Sequence, residues 1–176
     1  MVSFSGGKGI MGPQSSGVLC GRKDLIEAAY MNAAPNSQGI GRPAKVSKEN
    51  IAGLITALQM FVDRDYESVL EDWRNKCSYI VDHLKSVSGI RVSLSEANPD
   101  LEDSKSGFPR VLIYFEKDLT GGSESEAISM LKNFDPPIYL GAAGPEGGIA
   151  VIPVNLQHGE EEIVASSLKE VITRLK

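Results

Sequence analysis

Lys8 is the one cation in a run of small residues, Ser3-Phe4-Ser5-Gly6-Gly7-Lys8-Gly9-Ile10-Met11-Gly12-Pro13-Gln14-Ser15-Ser16-Gly17. A primary amine with so little bulk beside it has several uses. It can clamp a phosphate as a point charge. Once it loses its proton, it can condense with an aldehyde. It can also stay solvated, as most lysines do. The phosphate-loop pattern G-x-x-x-x-G-K-[ST] fails, because Gly9 stands where the hydroxyl is needed and Val2 where the first glycine is needed. Gly7 to Gly12 spells G-x-G-x-x-G, but Pro13 to Gly17 continue a loop where a dinucleotide site needs a helix to open. The covalent use meets its local requirements. Hydroxyls at Ser3 and Ser5 and the N–H groups of the glycines suit a phosphate. Small neighbours let a planar ring lie against the backbone, so a Schiff base with pyridoxal phosphate is one reading of Lys8. A solvated lysine on a flexible turn stands beside it as the alternative.

A second cation with possible chemistry is Arg42, in the loop Asn32 to Val46, which holds Gly39, Gly41, Pro35 and Pro43 and so cannot be helical throughout. Metal chemistry has little to work with. His83 and His158 have no ligand spacing, and Cys20 and Cys77 form no C-x-x-C pair. His83 reads as a helix-face residue, His158 as a cap-region residue, and Trp73 as core.

These residues have to be held by the elements around them. Val18-Leu19-Cys20 reads as a short buried strand, followed by a helical patch from Lys23 to Met31. Ser47 is a plausible N-cap, with Glu49 in the first turn. Ile51, Leu54, Ile55, Leu58 and Val62 fall on one helix face, and the stripe resumes at Tyr66, Val69, Leu70, Trp73, Cys77, Ile80, Val81 and Leu84. This predicts one long helix or two, broken near Asp63 to Asp65, with Gly89 after the stop. Ile90 to Ser95 alternates like a half-wet strand, and Arg110 to Glu116 is a second. A polar loop, Glu96 to Gly107, joins them. Ser123 and Glu126 form a capping box. A third strand is expected in Asp135 to Gly141, a turn at Gly144 to Gly148, and a fourth strand over Ile149 to Val154. A last helix carries Ile163, Val164, Leu168, Val171, Ile172 and Leu175 on one side, with Glu160 to Glu162 at its start. Strands joined by turns predict a mostly antiparallel sheet of about four strands with helices on one face, an α+β domain.

The chain's 176 residues, 41% hydrophobic and 23% charged, describe an ordinary globular protein. No apolar run approaches the ~18 residues of a membrane span, and no signal-peptide pattern is present. The expected address is cytoplasmic, with both thiols reduced. A net charge of −5 argues against broad nucleic-acid binding.

The segments FSGGKGIMGPQSSGVLCGRKDLIEAA and GIGRPAKVSKENIAGLITALQMF, with DPPIYLG and IPVNLQHGEEEIV further on, resemble the pyridoxal-phosphate enzymes related to bacterial selenocysteine synthase (seryl-tRNA selenium transferase). Within that family the likeness is to the sugar-acid lyase branch typified by D-glucosaminate-6-phosphate ammonia-lyase. The resemblance implies an α/β fold-type I enzyme overall. It makes residues 1–45 the end of the large cofactor-binding domain and residues 46–176 the small C-terminal domain. It makes Lys8 the Schiff-base lysine and puts Ser5, Gly7, Gly12 and Gln14 at the cofactor, with Pro13 shaping the pocket. Arg42 becomes a candidate for the substrate's carboxylate or phosphate, an inter-domain salt bridge being the alternative. The implied reaction is α-proton abstraction and β-elimination on an amino acid or amino-sugar acid. Seryl-tRNA selenium transfer is one alternative, and an inactive dimerising fragment another. The family further implies homo-oligomers and an N-terminal half that supplies an aspartate for the ring nitrogen and a residue that stacks on the ring. Without that half, this chain is expected to turn over little or nothing.

Overall fold

A computed structural model describes residues 1–96, 107–116, 122–145 and 147–176. Most of the polar loop Glu96 to Gly107, and residue 146 of the turn Gly144 to Gly148, lie outside the described residues. The chain divides into two compact units, Met1–Asp65 and Tyr66–Lys176.

The first unit opens with two strands, β1 (Val2–Ser5) and β2 (Gly17–Cys20), followed by α1 (Lys23–Asn32) and α2 (Lys48–Val62). The strands pair antiparallel, Val2 with Cys20 through Ser5 with Gly17. The strand at Val18 to Cys20 is thus present, but it is not buried as expected: Leu19 is 43% exposed, because a ribbon with a single partner strand has no layer over either face. Ser47 caps α2, its hydroxyl accepting from the Asn50 N–H at 3.2 Å. Glu49 sits in the first turn, its carboxyl held below the usual range by its own N–H and by the Ser47 hydroxyl. The apolar stripe of α2 also stays largely open, with Ile55 at 62% and Val62 at 75% exposure. The buried residue of that helix is Ala57.

The second unit has a continuous core. Its elements are α3 (Tyr66–Leu84), β3 (Ile90–Ser95), β4 (Arg110–Phe115), α4 (Glu124–Leu131), β5 (Gly141–Ala142), β6 (Ile149–Val151), a short 3-10 helix (Pro153–Asn155) and α5 (Glu160–Arg174). The strands form a four-stranded antiparallel sheet in the order β3-β4-β6-β5. Its register lines up Val92 with Ile113 and Leu94 with Val111, then Ile113 with Ile149 and Val111 with Val151. With side chains alternating, this puts Ile90, Val111, Ile113, Ile149 and Val151 on one face. They share one core with Cys77, Ile80 and Leu84 of α3, Ala127 and Leu131 of α4, and Leu168, Val171 and Ile172 of α5. Burial of each large aliphatic side chain there contributes about 1.5–3 kcal/mol. The architecture is the predicted α+β. The capping box forms in full, Ser123 N–H to the Glu126 carboxylate at 2.7 Å and Glu126 N–H to the Ser123 hydroxyl at 3.3 Å.

Two strands come out shorter than expected. The segment after Pro136 and Pro137 pairs only at Gly141 and Ala142, and β6 ends at Val151 because Pro153 starts a 3-10 turn. The helix break between Val62 and Tyr66 falls where the sequence predicts it. Trp73 is buried, edge-on to Tyr66 and to Phe108 at 6.4 and 6.3 Å between ring centroids. His83 is half-buried on α3 and stacks on Tyr79, while His158 is exposed just ahead of α5. Lys76 is buried as well, its ammonium donating to Asp72 at 2.8 Å and to the Leu156 carbonyl at 2.9 Å.

The two thiols differ sharply. Cys20 is exposed and Cys77 is buried, where desolvation, helped by the Glu96 charge, pushes its thiol up from 9.0 to about 12. The folded state therefore keeps the Cys77 proton over a range where the unfolded chain loses it. Stability drains as pH climbs from about 9 toward 12. With a dithionitrobenzoate reagent at neutral pH, Cys20 is expected to react in the native chain and Cys77 only after denaturant is added. Equal native rates at the two thiols would contradict this packing.

Candidate functional site

The loop from Gly6 to Ser16, which joins β1 to β2, carries Lys8. It is a built structure. Gly6 N–H bonds to the Ser16 carbonyl at 2.9 Å and carries the strand ladder one step further. Gly12 N–H bonds back to the Gly6 carbonyl at 2.8 Å, and Met11 N–H bonds to the Lys8 carbonyl at 2.7 Å. Pro13 opens a second turn, its carbonyl accepting from Ser16 N–H at 3.2 Å and from the Ser16 hydroxyl at 2.5 Å. The Gln14 side-chain amide donates to the Gly7 carbonyl at 3.3 Å. Met11 takes a left-handed backbone, φ 60°.

The underside of this loop lies on α2. A Cβ on Gly6 would strike the Ser16 hydroxyl and come within 2.7 Å of Leu54 Cδ1. One on Gly12 would stand 3.0 Å from the Gly6 carbonyl oxygen, 3.2 Å from Leu54 Cδ1 and 3.4 Å from the Ala57 Cβ. One on Gly7 would stand 2.8 Å from Gln14 Cα. Gly9 faces open space. The glycines beneath the loop are contact surfaces, and the upper side is free. Lys8, next to Gly9, is exposed, and its side-chain amine makes no hydrogen bond or ion pair among the described residues.

The Arg42 loop is tied down by backbone bonds, Gly41 N–H to the Asn32 carbonyl at 2.8 Å and Arg42 N–H to the Gly39 carbonyl at 3.0 Å. Beside it is a cleft of about 580 Å³, lined by Arg42, Lys45 and Lys48 together with Leu54 and the end of the lysine loop, Ser16 and Gly17. No acidic residue lines it. The three cations form no ion pair among the described residues. Unpaired positive charge along a cleft with an apolar wall concentrates field toward an anion.

Ser5, Gly7, Lys8, Gly12 and Gln14 thus come together in one hairpin and its loop, as the sequence predicts for neighbours in the chain. Arg42 lines a cleft that reaches the end of that loop, but Lys8 is not among the residues lining it. Lys45 and Lys48 were missed. Their signal was three basic residues close together around the cap at Ser47. The features that would suit a flat, phosphate-bearing cofactor are the bare glycine backbone and the unpartnered amine.

No family model matches this chain. Among curated proteins, a 5'-C-glycyluridine monooxygenase-decarboxylase of a Streptomyces species is 29% identical over 98% of this chain and 41% of its own length. The D-glucosaminate-6-phosphate ammonia lyase of Salmonella typhimurium is 24% identical over 97% of this chain and 43% of its own. The L-seryl-tRNA(Sec) selenium transferase of Aquifex aeolicus is 29% identical over 53% of this chain and 21% of its own. Among solved structures, that of a D-glucosaminate-6-phosphate ammonia-lyase superposes with a TM-score of 0.70 at 21% identity, over 98% of this chain and 43% of that one. The chain spans less than half the length of each of these proteins. The chain is thus similar in sequence to these three enzymes, and it shares its fold with part of the solved D-glucosaminate-6-phosphate ammonia-lyase.

Proposed function

We propose that this chain is the lysine-bearing part of a pyridoxal-phosphate enzyme that breaks a bond at Cα of an amino acid or amino-sugar acid. The observation that carries the reading is the Lys8 amine, unpartnered among the described residues, on a loop whose other side is bare backbone bonded to itself and seated on α2. The relatives' names support an enzyme of lyase or transferase type.

Lys8 Nζ is the amine that would hold the cofactor's aldehyde, with Ser5 and the glycine N–H groups beside it and Gln14 fixing the loop through Gly7. The cofactor, when bound, supplies an electron sink for charge left on the substrate. The chain's own residues do the rest. With the cofactor bound, Lys8 Nζ would be the base that takes the proton from substrate Cα. Arg42 binds the substrate's carboxylate or phosphate through its planar fork, and Lys45 and Lys48 add positive charge along the same cleft. Elimination of a β-substituent and release of ammonia complete the lyase reaction. The open apolar face of α2 is the surface that an N-terminal half of the enzyme would cover, as expected for a chain spanning less than half of its relatives. A homo-oligomer in the cytoplasm completes the reading.

A second reading has a specific observation behind it. The relative named a monooxygenase-decarboxylase matches 98% of this chain at 29% identity, above the 24% of the ammonia lyase. On that reading, the bond broken at Cα is the one to the carboxylate. Lys8 keeps its place, and Arg42 moves to the substrate's distal group.

The test is direct. The chain is incubated with pyridoxal phosphate, reduced with borohydride and mapped by mass spectrometry. Label is expected at Lys8 ahead of the other exposed lysines, and it is lost from that peptide in Lys8→Arg. Label spread evenly over exposed lysines would sink the reading. The chain alone is expected to release no ammonia from an amino-sugar acid beyond the cofactor's own background. Release at enzymatic rates would show that no further half is needed.

A further inference from the structure

We propose that Gly53 of α2 is a positioning residue for the Lys8 loop, acting through Pro13; this rests on the reading of Lys8 as the cofactor-holding amine. A Cβ on Gly53 would stand 2.8 Å from Pro13 Cγ and 3.4 Å from Pro13 Cδ. A proline ring has only a small pucker change by which to move Cγ, and its Cδ is bonded to the backbone nitrogen, so a push that the pucker does not absorb goes into the backbone. That backbone is wired to both sides of Lys8. The Pro13 carbonyl holds Ser16 through its N–H and hydroxyl. The Ser16 carbonyl holds Gly6 N–H, and the Gly6 carbonyl holds Gly12 N–H. Lys8 sits between Gly6 and Gly12, so a displaced Pro13 shifts both of its anchors.

Glycine is a poor choice for the interior of a helix on propensity alone, where alanine is the best. The contact with Pro13 is what glycine permits and alanine does not. Leu54 and Ala57, on the same helix, are the second place where the loop rests. The Gly53 contact bears on Pro13 and the Leu54 contact on Gly6 and Gly12, so α2 holds the loop at points flanking the lysine. Helix α2 is the seat that fixes where Lys8 Nζ projects.

The experiment compares four proteins: the unsubstituted chain, Gly53→Ala, Pro13→Ala and the double variant. Each is read by melting temperature, by the rate of borohydride-trapped pyridoxal-phosphate labelling at Lys8, and by hydrogen exchange at the Gly12 and Ser16 amides. G53A is expected to slow Lys8 labelling about tenfold, as misplacement of a reacting group does, and to speed exchange at both amides, the melting temperature showing that the variant is folded. In the P13A background, which lacks the ring carbons Cγ and Cδ, the same substitution is expected to change neither labelling nor exchange. That coupling is what a merely structural role would lack. Equal effects of G53A in the two backgrounds, or no effect in either, would overturn the proposal. If the unsubstituted chain fails to label at Lys8, the cofactor reading falls, and exchange at Gly12 and Ser16 alone then decides whether Gly53 seats the loop.

Discussion

Two side chains that are not there set the position of Lys8. Gly6 brings backbone down onto Leu54 of α2, where a methyl group would collide, and Gly12 lies against Leu54 and Ala57, where a methyl group would be tight. From that contact follow the bonds Gly6 to Ser16 and Gly12 to Gly6, the second turn at Pro13, and the free side on which Lys8 stands. Substituting Gly6 costs about 1–3 kcal/mol of overpacking, because a Cβ there would strike the Ser16 hydroxyl and come within 2.7 Å of the Leu54 methyl. A lysine on a flexible terminus would be exposed in many directions. This one is exposed in the direction its loop allows.

The two units obey different packing regimes. In the second, the predicted apolar stripes find partners except at Tyr66 and Ile163, which stay exposed, with α3, α4 and α5 sharing one core with the sheet and the Ser123–Glu126 box closing the start of α4. In the first, the apolar residues of β1, β2 and α2 stay largely in contact with solvent, and a small residue, Ala57, is the buried one on α2. The same unit gathers unpaired positive charge, Arg42, Lys45 and Lys48, along a cleft with an apolar wall. Apolar surface and uncompensated charge thus lie side by side in this unit.

Local signals in the sequence translated well into structure. Ser47 caps α2, Asp63 to Asp65 separates α2 from α3, and the alternation over Ile90 to Ser95 sets the inward face of the sheet. These are decided by residues close in the chain. What depends on distant partners was not legible. The periodicity of Ile51, Ile55 and Val62 reports an amphipathic helix but not whether anything covers it, and here it stays open. Val18 to Cys20 has the composition of a buried strand but only β1 beside it. The proline pair at Pro136 and Pro137 delays pairing to Gly141, leaving a strand of two residues. At the site, the lysine loop was readable as one contiguous stretch. The cleft was not, because it is assembled from the Asn32 to Val46 loop, the start of α2 and the end of the lysine loop.

The claim beneath all of this is that the Lys8 loop is a fixed structure on α2. Amide hydrogen exchange of the unsubstituted chain, resolved residue by residue by nuclear magnetic resonance, measures that directly. Gly6 and Gly12, whose N–H groups are bonded to the Ser16 and Gly6 carbonyls, should be protected, while Gly9, on the open side, should exchange freely. Exchange of all three at the rate of an unstructured peptide would mean that the loop is a solvated turn, and Lys8 would lose the placement that the proposed chemistry needs.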